Sequence, residues 1–258
     1  MNVMHKLLVI DVGNTRTKWA TTSDTGELQN LQLCFNADIA ASELARALAD
    51  AGSVIISNVA GDAIKTQITA LAPPALPLHF MVASAQACGV INRYQQVQTL
   101  GTDRWAAMIA AWHMHKQPTL VINAGTAITI DAIGRDASTK HGVFIGGTIM
   151  PGLRLMHEAL GNNTAQLKAM TNGNPVNFPL NTQDAIHTGC MNAIIGAVNL
   201  QLQQLEKHAA YLPKVIVSGG DANKMTEALK PYVKRVIMAE NLVLQGLVLL
   251  ANERLHES

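Results

Sequence analysis

The 258-residue chain has little that would tie it to a membrane, a nucleic acid or an oxidising compartment. Its three cysteines, Cys34, Cys88 and Cys190, are odd in number, far apart and without a C-x-x-C pair. That argues against a disulfide framework or a zinc site and for buried, reduced thiols. Formal net charge is only +1 and the basic residues are scattered, so neither nucleic acid nor an anionic membrane is an expected partner. No segment offers the roughly 20 apolar residues that cross a bilayer; even Leu242 to Ala251 is interrupted by Gln245 and Gly246. The apolar run near the N-terminus is too short for the core of a signal peptide, and no small-residue cleavage site follows it. A soluble, cytoplasmic protein is the expectation. Aromatic residues are scarce, 4% against 48% hydrophobic overall, so the core has to be aliphatic, as in α/β proteins. The histidines are dispersed, and His113 and His115, two apart, would point to different faces of a helix.

What is present is a recurring pattern. Leu7 to Ile10 is an apolar run of the kind that buries a strand, and Asp11-Val12-Gly13-Asn14-Thr15-Arg16-Thr17-Lys18 turns it back into a second strand. Gly-Asn is turn chemistry that tolerates positive φ. Leu28 to Phe35 alternates like a third strand, and Ala40 to Ala51 reads as a helix stopped by Gly52. A strand over Ser53–Val59, a helix over Asp62–Leu71 and a short strand at His79–Val82 follow. A helix opened by Gly101-Thr102-Asp103-Arg104 runs to about Lys116. Then the opening pattern returns: strand Leu120–Ile122, the turn Asn123-Ala124-Gly125-Thr126-Ala127, strand Ile128–Asp131, and a third strand in Gly142–Ile149. Helices at Leu153–Leu160 and Thr182–His208, a strand at Lys214–Ser218, a helix at Met225–Leu229, a strand at Val233–Met238 and a closing helix at Leu242–Leu255 complete the chain. The order β-β-β-α-β-α-β, stated twice about 110 residues apart, implies an internal duplication. The length suits two domains, here 1–117 and 118–258, each a mixed sheet flanked by helices. Two such domains facing one another would bring both turn tips into one cleft fit for a nucleoside triphosphate.

Four stations carry candidate chemistry. Asp11, at the end of a buried strand, either caps its turn or holds a magnesium ion while the loop cradles phosphate through backbone N–H groups. Gly101-Thr102-Asp103-Arg104 lies at a helix start, where Thr102 or Asp103 is a natural cap. Arg104 has no such explanation, because a cation there sits on the unfavourable side of the helix dipole; a carboxylate needing a bidentate partner would explain it. Asn123 to Asp131 is a hairpin turn or a second phosphate contact. Gly146-Gly147-Thr148-Ile149-Met150-Pro151-Gly152 is a strand exit whose glycines allow close approach.

In this order and spacing the four stretches resemble the type III pantothenate kinases of bacteria, over nearly the whole chain from Leu7 to about Ala251. The resemblance implies the actin, hexokinase and Hsp70 superfold: α/β, with two ribonuclease-H-like (actin-like ATPase) domains. It implies a homodimer that uses ATP and Mg²⁺ to phosphorylate pantothenate, the first step of coenzyme A synthesis. Carried over by position, it makes Asp11, Val12, Gly13, Asn14, Thr15, Arg16, Thr17 and Lys18 the first phosphate loop, with Asp11 on the magnesium side, and Thr126 a second nucleotide contact. Asp103 matches the family's proton acceptor. Tyr94, Gly101, Thr102, Asp103 and Arg104 match pantothenate contacts, and so does Thr182 in the second half. One position departs: where the family usually has an aspartate that ligates K⁺ or NH₄⁺, this chain has Asn123, which keeps a carbonyl oxygen and loses the charge. The rival readings are another small-molecule kinase of the same superfold and a catalytically silent, nucleotide-binding regulator, which would be free to lose Asp103.

Overall fold

The computed structural model describes residues 6–163, 173–209 and 212–257. In chain order the strands and helices are β1 (Leu7–Val12), β2 (Arg16–Thr22), β3 (Leu28–Phe35), α1 (Leu44–Ala49), β4 (Ser53–Asn58), α2 (Asp62–Leu71), β5 (Leu78–Phe80), β6 (Gln86–Ala87), β7 (Val90–Asn92) and α3 (Thr102–His115). They continue with β8 (Thr119–Ala124), β9 (Ala127–Arg135), β10 (Gly142–Pro151), α4 (Leu153–Asn163), α5 (Thr182–His208), β11 (Lys214–Ser218), α6 (Ala222–Leu229), β12 (Val236–Met238) and α7 (Leu242–Glu257). They form two compact units, residues 1–115 with 241–258, and residues 116–240.

The first unit is built on a mixed sheet in the order β3-β2-β1-β4-β5. β1, β2 and β3 are antiparallel neighbours, and β4 and β5 run parallel to β1. Side chains alternate across β1. Leu8, Ile10 and Val12 face a core completed by Trp19, Ile39, Leu44, Leu48, Val54, Ile56 and Ile68. Val9 and Ile55, equally buried, face the other way, toward the side where α3 and α7 pack on β1 and β4. A helix read across Ala40–Ala51 divides in the structure into a 3-10 turn at Asn36–Ala41 and the short α1, with Ser42 bonding back to Ile39 O at the break.

The second unit repeats the plan. Its strands follow one another as β12-β11-β8-β9-β10, antiparallel from β8 through β10 and parallel from β8 to β11 and β12. Strand for strand this is the order and sense of the first sheet. Ile122, Ile130 and Val217 from its strands meet Ile194 and Val198 of α5 and Met225 and Leu229 of α6.

Two sequence-based expectations change. The closing helix, assigned to a second domain over 118–258, belongs with the first unit: α7 packs along α3 and against β1. The helices approach so closely at Gly246 that a Cβ there would run into the Ala106 carbonyl, so glycine is required. The hairpin β6–β7 has no counterpart in the reading of the sequence, because its turn is Cys88-Gly89 rather than Asn-Gly or Asp-Gly. Finally, the first turn closes without the positive φ that Gly-Asn tolerates, since neither Gly13 nor Asn14 adopts it.

Candidate active site

In the first unit the site begins where β1 ends. Asp11 lies on the face opposite Leu8 and Ile10, in register with Ser57 on β4 and Lys18 on β2. Ser57, fully buried, shares a 2.8 Å hydrogen bond with Thr102, the first residue of α3. That bond anchors the helix N-terminus beside the strand end and brings Asp103 within electrostatic reach of Asp11. Burial, then the charge of Asp103, push the Asp11 carboxyl up to about 7, against a smaller opposing pull from Lys18. Asp11 Oδ1 is buried with no hydrogen-bond partner. A desolvated carboxylate oxygen without a donor beside a second carboxylate is a poor structural group, and it is the kind of hard oxygen ligand a magnesium ion takes.

Asp103 is half-buried in the first turn of α3. Its Oδ1 accepts a hydrogen bond from Arg104 N at 2.8 Å. Burial raises its pKa, opposed by that bond and by the Arg104 charge. Gly101 has a steric reason of its own: a Cβ there would lie 2.7 Å from Asp103 Oδ1. Arg104 is 5% exposed, with its guanidinium 6.0 Å from the centroid of the Tyr94 ring. Tyr94 is half-buried and its backbone is pinned by a 2.9 Å bond from its N to Asn92 Oδ1. The structure thus assembles Asp11, Thr102, Asp103, Arg104 and Tyr94 around the β1–β4 strand ends and the head of α3.

The phosphate-loop stretch is not uniform. Gly13 N bonds to Arg16 O at 3.0 Å across the turn, leaving Asn14 exposed at the tip and Thr15 half-buried. Within the expected loop Val12 and Thr17 are both buried at 0% exposure: Val12 packs in the core, and the Thr17 hydroxyl faces inward. Thr17 donates that hydroxyl to Asn36 Oδ1 at 2.9 Å, and Asn36 Nδ2 donates to Gly13 O at 2.8 Å. Asn36, absent from the sequence-based list, is therefore the brace of this turn. Arg16 stacks its guanidinium 5.0 Å from the Phe35 ring, and Lys18 donates to Asn241 Oδ1 at 3.0 Å. Ser57, Asn36 and Asn241 carried no motif signal; only their contacts single them out.

In the second unit Asn123 is half-buried at the end of β8, in register with Thr129 and Ser218, and Thr126 accepts a 2.9 Å bond from Gly152 N. Thr182 opens α5, capped by Asn181, which accepts from Asp184 N at 2.9 Å. Thr182 also lines a cavity of about 620 Å³ between α4 and α5, with Pro151, Met156, Leu160, Ile186 and Cys190.

The family model for type III pantothenate kinase matches residues 7–204. The chain belongs to that family. It is 42% identical over 248 residues to the type III pantothenate kinase of Methylobacillus flagellatus, with 95% of this chain and 97% of the relative covered. It is 40% identical to that of Aromatoleum aromaticum, covering 96% and 98%. Among solved structures it is similar to a Campylobacter jejuni protein assigned to the Baf family of transcriptional activators, with TM-score 0.61, 21% identity and 96% and 99% of the two chains covered. It is also similar to a Sinorhizobium meliloti protein assigned as a 2-dehydro-3-deoxygalactonokinase, with TM-score 0.56, 11% identity and 96% and 99% covered. At those identities the likeness speaks for the fold alone: α/β, with two mixed sheets flanked by helices, shared with kinases. The family's enzymes are kinases, and this chain is one by membership.

Proposed function

We propose that this kinase transfers the γ-phosphoryl group of ATP to the primary hydroxyl of pantothenate, opening coenzyme A synthesis in the cytoplasm. The observation that carries the reading is the pairing of Asp11 with Asp103, two desolvated carboxyls from a strand end and a helix start, each with a raised pKa. Such pairs are rarely kept for stability and recur where a metal and a proton acceptor are needed side by side. Asp11, with its unpartnered Oδ1, would hold Mg²⁺, which when bound neutralises phosphate charge. Asp103 takes the proton of the attacking hydroxyl as its oxygen bonds to phosphorus and the bond to the ADP oxygen breaks. A pKa above that of an ordinary aspartate makes it the stronger base. Arg104 and Tyr94 hold the pantothenate carboxylate and body, with Gly101 and Thr102 shaping the approach. The turn at Gly13–Arg16, with Asn14 at its tip, contacts the nucleotide phosphates.

At Asn123 a carbonyl oxygen replaces the carboxylate that would hold a monovalent cation, so activity should depend little on K⁺ or NH₄⁺. We read the protein as a homodimer. Support comes from one stretch of the second unit that leaves Phe178 88% and Leu180 100% exposed, just before the groove containing Thr182, and Leu200 farther along α5 54% exposed. Thr182 then serves the pantothenate site from the dimer.

The deciding experiment is an ADP-release assay with Mg²⁺, pantothenate and a panel of sugars and hydroxy acids, with and without K⁺. Turnover on pantothenate alone supports the reading; turnover on a sugar, or on nothing, refutes it. Arg104→Ala should raise the pantothenate KM by at least about tenfold while leaving that for ATP unchanged.

A further inference from the structure

The turn joining β6 to β7 places Cys88 at φ 48° and Gly89 at φ 73°. That is the geometry of a two-residue hairpin turn, in which glycine is at ease and a residue with a Cβ is not. Cys88 is held there from outside the hairpin. Glu253 of α7 accepts from Cys88 N at 2.6 Å through Oε1 and from its thiol at 3.5 Å through Oε2. His113, in the last turn of α3, donates from Nε2 to Cys88 O at 3.1 Å. Two helices therefore grip the amide and the carbonyl of one strained residue, and strain of this kind persists only where the surroundings over-determine it.

The hairpin leads directly to the acceptor side of the site. β7 ends in Asn92, 6% exposed, whose N donates to Ala85 O at 2.8 Å and whose Nδ2 donates to Ser84 O at 3.1 Å. Its Oδ1 accepts from Tyr94 N at 2.9 Å, and the Tyr94 ring faces Arg104. An unbroken path thus runs from α7 through the Cys88 turn and Asn92 to Tyr94. Arg104 sits on the helix whose far end holds the same turn.

We infer that Glu253 is a positioning residue for the acceptor pocket: its carboxylate fixes the Cys88 turn, and through the hairpin it sets Tyr94 against Arg104. Glu253 itself touches no substrate. The inference rests on Tyr94 and Arg104 being the pantothenate contacts, and predicts a defect confined to that substrate.

The test uses the full chain as wild type, Glu253→Ala, Glu253→Asp and Glu253→Gln, with pantothenate and ATP varied separately and a thermal melt of each protein. Glu253→Ala should raise the pantothenate KM at least about fivefold, with kcat and the ATP KM within about twofold of wild type. Glu253→Asp, a methylene too short to reach Cys88 N, should show the same selective rise and serves if the alanine variant does not fold. Glu253→Gln keeps an oxygen for the Cys88 N–H and should return the KM to within about twofold of wild type. A folded alanine or aspartate variant with an unchanged pantothenate KM overturns the inference. So does a glutamine variant as defective as alanine, or a loss spread over kcat, both KM values and the melting temperature together. A wild type idle on pantothenate refutes the substrate reading beneath it, whereas an active wild type with indifferent variants refutes only the role of Glu253.

Discussion

Replacing Asp11 with asparagine should make the protein more stable and inactive at once, with a stability gain that depends on pH in a defined way. The carboxyl has its pKa raised from 3.8 to about 7 by burial first and by Asp103 second. Below about pH 4 it is protonated in both the folded and the unfolded chain, and it contributes no penalty. As pH rises from there to about 7 the unfolded chain ionises freely while the folded one resists, so the wild type loses stability across that window. At about 1.4 kcal/mol per pH unit the penalty approaches about 4 kcal/mol by pH 8. The amide of Asp11→Asn has nothing to ionise, so the variant should gain little at pH 4 and about 2 to 4 kcal/mol at pH 8. The unfolding transition of the first unit would then rise by roughly 5 to 15 °C, at about 2 to 4 °C per kcal/mol. The assay is thermal or urea unfolding of both proteins at pH 4, 6 and 8 in the absence of divalent cations, repeated at pH 8 with Mg²⁺ and nucleotide. Those ligands should stabilise the wild type and leave Asp11→Asn nearly unmoved. A variant no more stable than wild type at pH 8, or a difference that does not grow with pH, would refute the account of Asp11 as a strained, desolvated carboxyl waiting for a cation.

Asp103→Asn should cut kcat by at least about 10² while nucleotide binding, followed by calorimetry, stays intact. In the wild type Asp103 has to be ionised to accept a proton, and its pKa is raised by burial. kcat/KM should therefore fall on the acid side at a higher pH than an ordinary aspartate would give, and in Asp103→Asn the residual activity should follow Asp11 alone, its limb moved to lower pH by loss of the Asp103 charge. Asn123→Asp should introduce a dependence on K⁺ measurable as a ratio of rates in K⁺ and in tetramethylammonium buffer; equal ratios in both proteins would count against Asn123 as the cation position. Gly246→Ala would place a methyl group on the Ala106 carbonyl where α7 crosses α3. It should lower stability in urea by about 1 to 3 kcal/mol, although alanine at an exposed helical glycine would raise it.

Much of the architecture is legible because strand and helix periods are local properties. The apolar runs at Leu7–Ile10, Leu120–Ile122 and Lys214–Ser218 are each visible in a window of a few residues, and all lie in strands. The repeat of strand, Gly-Thr turn and strand implied a duplicated element order, and the two sheets do share one strand order through their first five strands. Where local signals are weak the reading failed. Cys88-Gly89 lacks the residues that announce a tight turn, and the helix read across Ala40–Ala51 carries an internal Ser42 that bonds back to Ile39 O and interrupts it. Thr17 looked like a phosphate ligand because a threonine in a turn motif can offer its hydroxyl, but its place on β2 opposite Val12 gives that hydroxyl to Asn36.

From residue order alone came the motifs that carry the resemblance to the family, the two-fold repeat of the fold, and Asp11 and Arg104 as residues to watch; Asp103 drew its role from the resemblance. Tertiary structure alone decided that α7 joins the first unit, that Ser57 and Asn36 brace the site, that Asp103 adds to the cost of ionising Asp11, and that Glu253 reaches Cys88. Periodicity marks a face for burial without naming what covers it, whereas desolvation and charge repulsion act through space between groups far apart in the chain.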